Sequence, residues 1–291
     1  MTDPVHEPPA STRLLIACPD RPGIVAAVST FLARRGVNIT SSAQYSTDPQ
    51  GGRFLMRLEW VGDAGADAGE LATAFAAEVA APFAMEWRIA PSRPLKRVAV
   101  LVSREDHCLL DLLWRHRRGD LPAEIVLVAS NHPDSAVDAE RFEVPFRHIP
   151  VPKGGKAEAE EAMLGELAAR EVDLVVLARY MQILSGGFLE RLARPVINIH
   201  HSFLPAFVGA DPYRRALERG VKIIGATGHY VTADLDAGPI IEQDVERVDH
   251  RHSVAELTEV GRDIERRVLA RAVRWHLDDR VLISEGRTVV F

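Results

Sequence analysis

Beyond residue 97 the chain alternates short, largely apolar runs with amphipathic segments, and that alternation leaves little freedom in the fold. VAVLVS (98–103), AEIVLVASN (123–131), DLVVLARYMQ (173–182) and VINIH (196–200) have strand length but no wet face. Runs of this kind are strands covered on both sides. HCLLDLLWRHRRG (107–119), KAEAEEAMLGELAAREV (156–172) and GGFLERLARP (186–195) lie between them and read as helices. The pattern predicts an α/β domain with a mostly parallel, Rossmann-like sheet and helices on both faces. Ligands in such sheets sit beyond the carboxyl ends of the strands, where Ser103, Asn131, Tyr180 and the Asn198–His200 pair fall. KIIGATGHYVT (222–232) and PIIEQDVERV (239–248) follow as a strand pair around an Asp-rich turn, then a helix over 254–278 and a short strand-like tail.

The first block has another order. RLLIAC (13–18) is a strand, PDRPG (19–23) a turn, and IVAAVSTFLARRG (24–36) a helix stopped by Gly36. VNITSSAQYS (37–46) and RFLMRLEW (53–60) read as strands around TDPQGG, DAGELATAFAAEVAAPF (67–83) as an Ala-rich helix, and AMEWRIA (84–90) as a closing strand. This is βαββαβ, the α+β ferredoxin-like arrangement. PSRPLKR (91–97) reads as a linker. The expected organisation is one domain over 12–90, a linker over 91–97 and a second domain over 98–291.

Charge and composition narrow the partners. The 291 residues are 47% hydrophobic and carry a formal net charge of −6, so a full core is available and a nucleic-acid ligand is disfavoured. No apolar run is long enough to span a membrane. MTDPVHEPPASTR lacks the features of a signal peptide and reads as a disordered lead-in. Two cysteines, Cys18 and Cys108, fit a reducing cytoplasm and small core residues better than a disulfide framework. There is no GxGxxG, no P-loop and no zinc-ligand spacing, so neither a cofactor nor a metal is expected.

Asn198 and His200 are two apart on a strand and share a face. Asp236 lies on a turn with Gly238 and Pro239. An amide N–H can donate to an oxyanion, an imidazole can carry a proton, and a carboxylate can orient the imidazole. The three suit acyl transfer without a serine, cysteine or metal. Spacing alone leaves a structural Asn-x-His open. His201 should face the opposite side of the strand from His200, as a structural residue. His229 is either a partner behind Asp236 or structural. His107, Asn131 and His132 could line an acceptor side.

Two stretches carry a resemblance. LLIACPDRPGIVAAVSTFLARRGVNI (14–39) resembles an ACT domain, a regulatory module that often binds amino acids. The resemblance implies an amino-acid effector site at Asp20, Gly23 and Asn38, for which the one-carbon reaction implied below suggests glycine or methionine; the alternative is an assembly module without a ligand. It also implies a homodimer or homotetramer. NIHHSFLP (198–205) with GATGHYVTADLDAGPII (225–241) resembles the formyltransferase family that handles 10-formyltetrahydrofolate. That resemblance makes Asn198, His200 and Asp236 the catalytic residues. It places the folate against Arg179, Met181, Gln182 and Leu184 and against Thr232, Ala233 and Gly238. Within the family, the ACT-like block and REDHCLLDLLWRHRRGDL (104–121) resemble the formyltetrahydrofolate deformylases. The stretch after Ser103 holds no glycine before Gly119, so the phosphate-binding loop of the ribonucleotide transformylases is missing. The implied reaction is hydrolysis of 10-formyltetrahydrofolate to tetrahydrofolate and formate, balancing the folate pool and supplying formate for purine synthesis. A formyltransferase to an amino sugar or nucleotide, or an amino-acid sensor, is the alternative. Val208 stands where that pattern has Lys, and Gly228 where Ala is expected.

Overall fold

The computed structural model of the chain describes residues 10–62, 68–204 and 212–291. By contacts the chain divides into one unit of residues up to 94 with 278–291, and a second of residues 95–277.

In the first unit, β1 (Ser11–Pro19), α1 (Ile24–Arg34), β2 (Ile39–Ser46), β3 (Arg53–Val61), α2 (Ala68–Phe75, continued by a π-helical turn to Ala80) and β4 (Glu86–Pro91) form an antiparallel sheet in the order β2-β3-β1-β4. This is the ferredoxin-like arrangement that the sequence predicts. Strand periodicity explains the packing: Leu14, Ile16 and Cys18 of β1 join Met56, Leu58 and Trp60 of β3 in a core closed by Ile24, Val28, Phe31 and Leu32 of α1. Leu15 and Leu55 face the other way. They pack with Ala90 and with Leu282, Val289 and Phe291 of the C-terminal segment.

That segment is more than a tail. In the second unit the elements are β5 (Lys96–Val102), α3 (His107–Arg117), β6 (Ala123–Ser130), α4 (Ala136–Arg141), β7 (Phe146–His148), α5 (Lys156–Ala169), β8 (Leu174–Leu177), α6 (Gly186–Leu192), β9 (Val196–His200), α7 (Pro212–Arg219), β10 (Ile223–Tyr230), β11 (Ile240–Arg247) and α8 (Val254–Leu277). The chain then returns to the first unit as a hairpin of β12 (Val281–Ser284) and β13 (Arg287–Val290). The return is fixed by polar contacts. Buried Arg57 of β3 donates to the carbonyls of Asp278 and Asp279 at 3.0 and 3.1 Å. The Asp279 carboxylate, 1% exposed, pairs with Arg13 at 3.2 Å and Arg88 at 2.7 Å.

The second unit holds a seven-stranded sheet in the order β11-β10-β9-β8-β5-β6-β7. β9, β8, β5, β6 and β7 are parallel, while β10 and β11 are antiparallel additions on one edge. Val98–Val102 and Leu174–Val176 are at most 1% exposed, as the uninterrupted apolar runs require. α8 packs across β9, β10 and β11. Its fit to β10 depends on Gly228, where a Cβ would lie 3.0 Å from Ala272 Cβ.

Candidate active site

Three segments converge at the carboxyl end of β8 and β9. The first is the stretch after β8. Ala178 N–H donates to Leu101 O at 2.8 Å, Ser103 N–H to Arg179 O at 3.2 Å, and Met181 N–H to Ser103 Oγ at 3.0 Å. Ser103 Oγ in turn donates to Asn131 Oδ1 at 2.6 Å. The ends of β5 and β6 thus strap this segment down, and Arg179 takes a left-handed conformation (φ 62°) within the strap. Such backbone strain is tolerated where the surroundings over-determine it.

The second segment is β9. Asn198 and His200 sit on one face, and antiparallel β10 sets His229 opposite Asn198. A register shift between Gly228 and His229 re-aims the imidazole. His229 Nδ1 lies 2.9 Å from Tyr230 O, a carbonyl that can only accept, so Nδ1 carries the proton. Burial holds His229 below the ordinary histidine range, so the ring is neutral and Nε2 is an acceptor. Asn198 Nδ2 lies 3.1 Å from that Nε2 and donates to it. This bond orients the amide and leaves its second N–H for the site.

The third segment is the loop between β10 and β11. Tyr230 N–H donates to Pro239 O at 2.9 Å and closes its base. Asp236 takes the left-handed conformation (φ 54°) that Asp tolerates better than most residues. Its Oδ2 lies 3.3 Å from His200 Nδ1, and its Oδ1 3.7 Å from His229 Nε2. Gly238 is buried beneath: a Cβ would come 1.7 Å from Tyr230 O. Glycine is therefore a steric requirement of the loop that presents Asp236.

His200 is 8% exposed, and its Nε2 is buried without a hydrogen-bond partner among the described residues. Burial lowers the tendency of His200 to hold a second proton, and the charge of Arg179 acts the same way; the Asp236 carboxylate opposes both. The result is a neutral imidazole with Nδ1–H toward Asp236 and a free Nε2 lone pair. His201 does not face away, as strict strand alternation predicts. β9 ends at His200, the chain bends, and the two rings stack at 5.1 Å with an interplanar angle of 19°. Burial, followed by the charge of Arg179, pushes His201 down to about 4.

These residues open onto a cavity of about 370 Å³. Its walls include Arg179, Met181, Gln182 and Leu184 on one side and Thr232 and Ala233 on the other, with Asn198, His200, His229 and Asp236. Of the sequence-predicted pocket residues, Gly238 acts from beneath the loop rather than in the lining. Leu177, Ile199 and Val231 supply apolar surface, and Met181, Ile183 and Leu235 stand 58–62% exposed around the site. This suits a flat ring system with polar edges. Val208 lies outside the described residues.

A second polar cluster was not legible in the sequence. Glu265 of α8 is 1% exposed and meets His107 Nε2 at 2.8 Å and Tyr213 Oη at 2.9 Å. Arg179 Nε approaches it at 3.4 Å, an ion pair without hydrogen-bond geometry. His107, Cys108 and Glu265 bring possible ligand atoms within 4.8 Å of one another. The donor set suits a cation poorly, because the guanidinium already faces the carboxylate and both carboxylate oxygens are engaged. Both cysteines are buried, and burial raises both thiols. The signal that could have found Glu265 is periodicity: it falls on the α8 stripe with Leu257, Gly261, Ile264, Val268 and Ala272, where a carboxylate is out of place.

In the first unit, Asp20 and Gly23 share the turn into α1. Asp20 accepts from Ser46 Oγ, and its N–H donates to Gly52 O at 2.8 Å. Gly23 caps α1 at φ 95°. Asn38 is exposed ahead of β2.

Comparison with known proteins bears on both units. The Formyl transferase family model matches residues 96–273 and the ACT domain model residues 12–60. A formyltetrahydrofolate deformylase of Mycobacterium tuberculosis is 58% identical over 280 residues, covering 96% of this chain and 90% of that protein. One of Bacillus subtilis is 54% identical over 280 residues, covering 96% and 93%. The solved structure of a formyltetrahydrofolate deformylase from Pseudomonas syringae pv. tomato superposes with a TM-score of 0.94 at 49% identity, covering 99% of this chain and 96% of that one.

Proposed function

The chain belongs to the formyltetrahydrofolate deformylase family and hydrolyses 10-formyltetrahydrofolate to tetrahydrofolate and formate; we propose that Asn198, His200 and Asp236 carry the reaction. The observation that carries this reading is His200. Its Nδ1 is held by Asp236, and its Nε2 is buried and has no partner among the described residues, in the cavity that the oriented amide of Asn198 also lines.

Water attacks the formyl carbon while His200 Nε2 takes its proton, and Asp236 stabilises the resulting imidazolium. The formyl oxygen becomes an oxyanion and receives the free N–H of Asn198. Collapse breaks the bond from carbon to N10. His200 returns the proton to N10, the formic acid so formed gives its remaining proton to solvent, and formate and tetrahydrofolate leave. The folate lies between the 179–184 and 232–236 segments, its rings on the apolar walls. No cofactor enters this scheme. Purified protein with 10-formyltetrahydrofolate and no amine should release formate and tetrahydrofolate in equal amounts. Turnover that requires an added amine would make the chain a transferase instead.

The activity balances the folate pool and supplies formate for purine synthesis, in the cytoplasm; among the described residues no helix is long and apolar enough to cross a membrane. β2 is an edge strand with an exposed face that includes Tyr45, which fits assembly as a homodimer or homotetramer. Glycine or methionine binds at the Asp20–Gly23 turn, with Asn38 as a further donor, and changes turnover. Effector coupling is typically about 1–3 kcal/mol, or ~5–150-fold in affinity. Gly23→Val strains a backbone held at φ 95° and should abolish the response to millimolar amino acid, with turnover in its absence as the reference. A Gly23→Val protein that still responds would place the effector elsewhere.

A further inference from the structure

Glu265 is a carboxylate on the buried apolar stripe of an amphipathic helix, and the surroundings are built for it. Gly261, one turn earlier, leaves room for Tyr213: a Cβ there would lie 1.9 Å from the tyrosine hydroxyl. That hydroxyl donates to Glu265 Oε1, while Oε2 faces His107 Nε2 and Arg179 Nε. Although burial opposes it, the His107 bond and the Arg179 charge hold the Glu265 carboxyl below its ordinary range, so it is an anion inside the protein. Arg179 therefore has two attachments. Its backbone is strapped to the end of β5, and its guanidinium reaches the buried anion from a residue that also lines the cavity.

Resting on the hydrolytic reading of the site, we propose that Glu265 is a positioning residue for the reaction: it fixes Arg179 beside His200 and His201 and balances its charge there. An unbalanced cation at this place would resist the imidazolium that His200 must form. The charged and titratable groups facing His200 are Asp236 from the loop, His229 from β10, the adjacent His201, and Arg179; Glu265 from α8, with His107 and Cys108 of α3 beside it, stands behind Arg179. Removing the Glu265 charge should make His200 harder to protonate. Removing the Arg179 charge should make it easier. Removing both should restore the balance.

The experiment compares the parent with Glu265→Gln, Arg179→Met and the double variant. The His200 imidazole is titrated by NMR without substrate, its resonance identified by its loss in His200→Gln, and kcat/KM is followed against pH. The expected midpoint moves to lower pH in Glu265→Gln, to higher pH in Arg179→Met, and back toward the parent in the double variant. The acid limb of kcat/KM should move the same way, and the melting temperature lost in each single variant should be partly regained in the double. Single variants that shift His200 in the same direction, or a double variant whose midpoint stays as far from the parent as that of either single variant, would overturn the proposal. If Glu265→Gln does not fold, a double variant that folds supports the pair, and one that stays unfolded overturns it. A stoichiometric divalent metal on His107, Cys108 and Glu265 of the purified protein would also overturn it. A parent that releases no formate would refute the hydrolytic reading alone, since the titration needs no turnover.

Discussion

Replacing Asp236 with asparagine is expected to lower kcat for formate release by about 10²–10⁴-fold, the usual range for losing positioned acid–base catalysis. The carboxylate does two things that an amide cannot. Its Oδ2 faces His200 Nδ1 at 3.3 Å, which holds the imidazole in the tautomer that leaves Nε2 free. In the proposed mechanism its negative charge also stabilises the imidazolium formed when Nε2 takes the proton from water. Asparagine keeps the shape and the left-handed backbone tolerance of Asp236 (φ 54°), so the loop should survive. The loss should therefore fall on kcat, with KM for the folate changed only a few-fold. Steady-state kinetics with purified Asp236→Asn checks this. A variant within about tenfold of the parent in kcat would remove Asp236 from the chemistry.

Asn198→Ala is expected to cost about 10²–10³-fold in kcat, the typical consequence of deleting one oxyanion donor. Asn198 reaches His229 Nε2 with one N–H, and His229 is fixed by Tyr230 O. The second N–H thus has its direction set before the oxyanion develops. A corollary separates this role from simple pocket shape. His229→Phe should lose a similar factor by releasing the amide, and Asn198→Ala combined with His229→Phe should lose little more than either alone. Additive losses in that double variant would mean that His229 acts independently of the amide.

The first block shows how far local pattern reaches. The alternation in RLLIAC and RFLMRLEW encodes two strands, and Gly23 and Gly36 mark the ends of the helix between RLLIAC and VNITSSAQYS. The same alternation places Leu15 and Leu55 on the other sheet face but does not name what covers them. The covering hairpin lies at the far end of the chain, and its attachment depends on Arg57 and Asp279, which are more than two hundred residues apart. His201 marks another limit: alternation fails where β9 ends and the chain bends, which stacks it on His200. Gly238 was expected in the folate pocket as a loop glycine, yet its requirement comes from the carbonyl of Tyr230 beneath it.

The sequence by itself determined the strand and helix order of the first block, the alternation that makes the parallel sheet of the second unit, though not α4, β7 or α7, and, through a family resemblance, Asn198, His200 and Asp236 as the candidate site. The element order and the sheet follow from short-range periodicity, information carried within a few residues of each position, whereas the three site residues follow from the motifs that resemble the formyltransferase family. Only the tertiary structure decided which proton each histidine carries, that Arg179 leans on Glu265, and that Gly261 makes room for Tyr213. Those depend on which groups are excluded from water together. A carboxylate on α8 gains a guanidinium and an imidazole as partners only once the sheet has brought the end of β8 and the start of α3 against it.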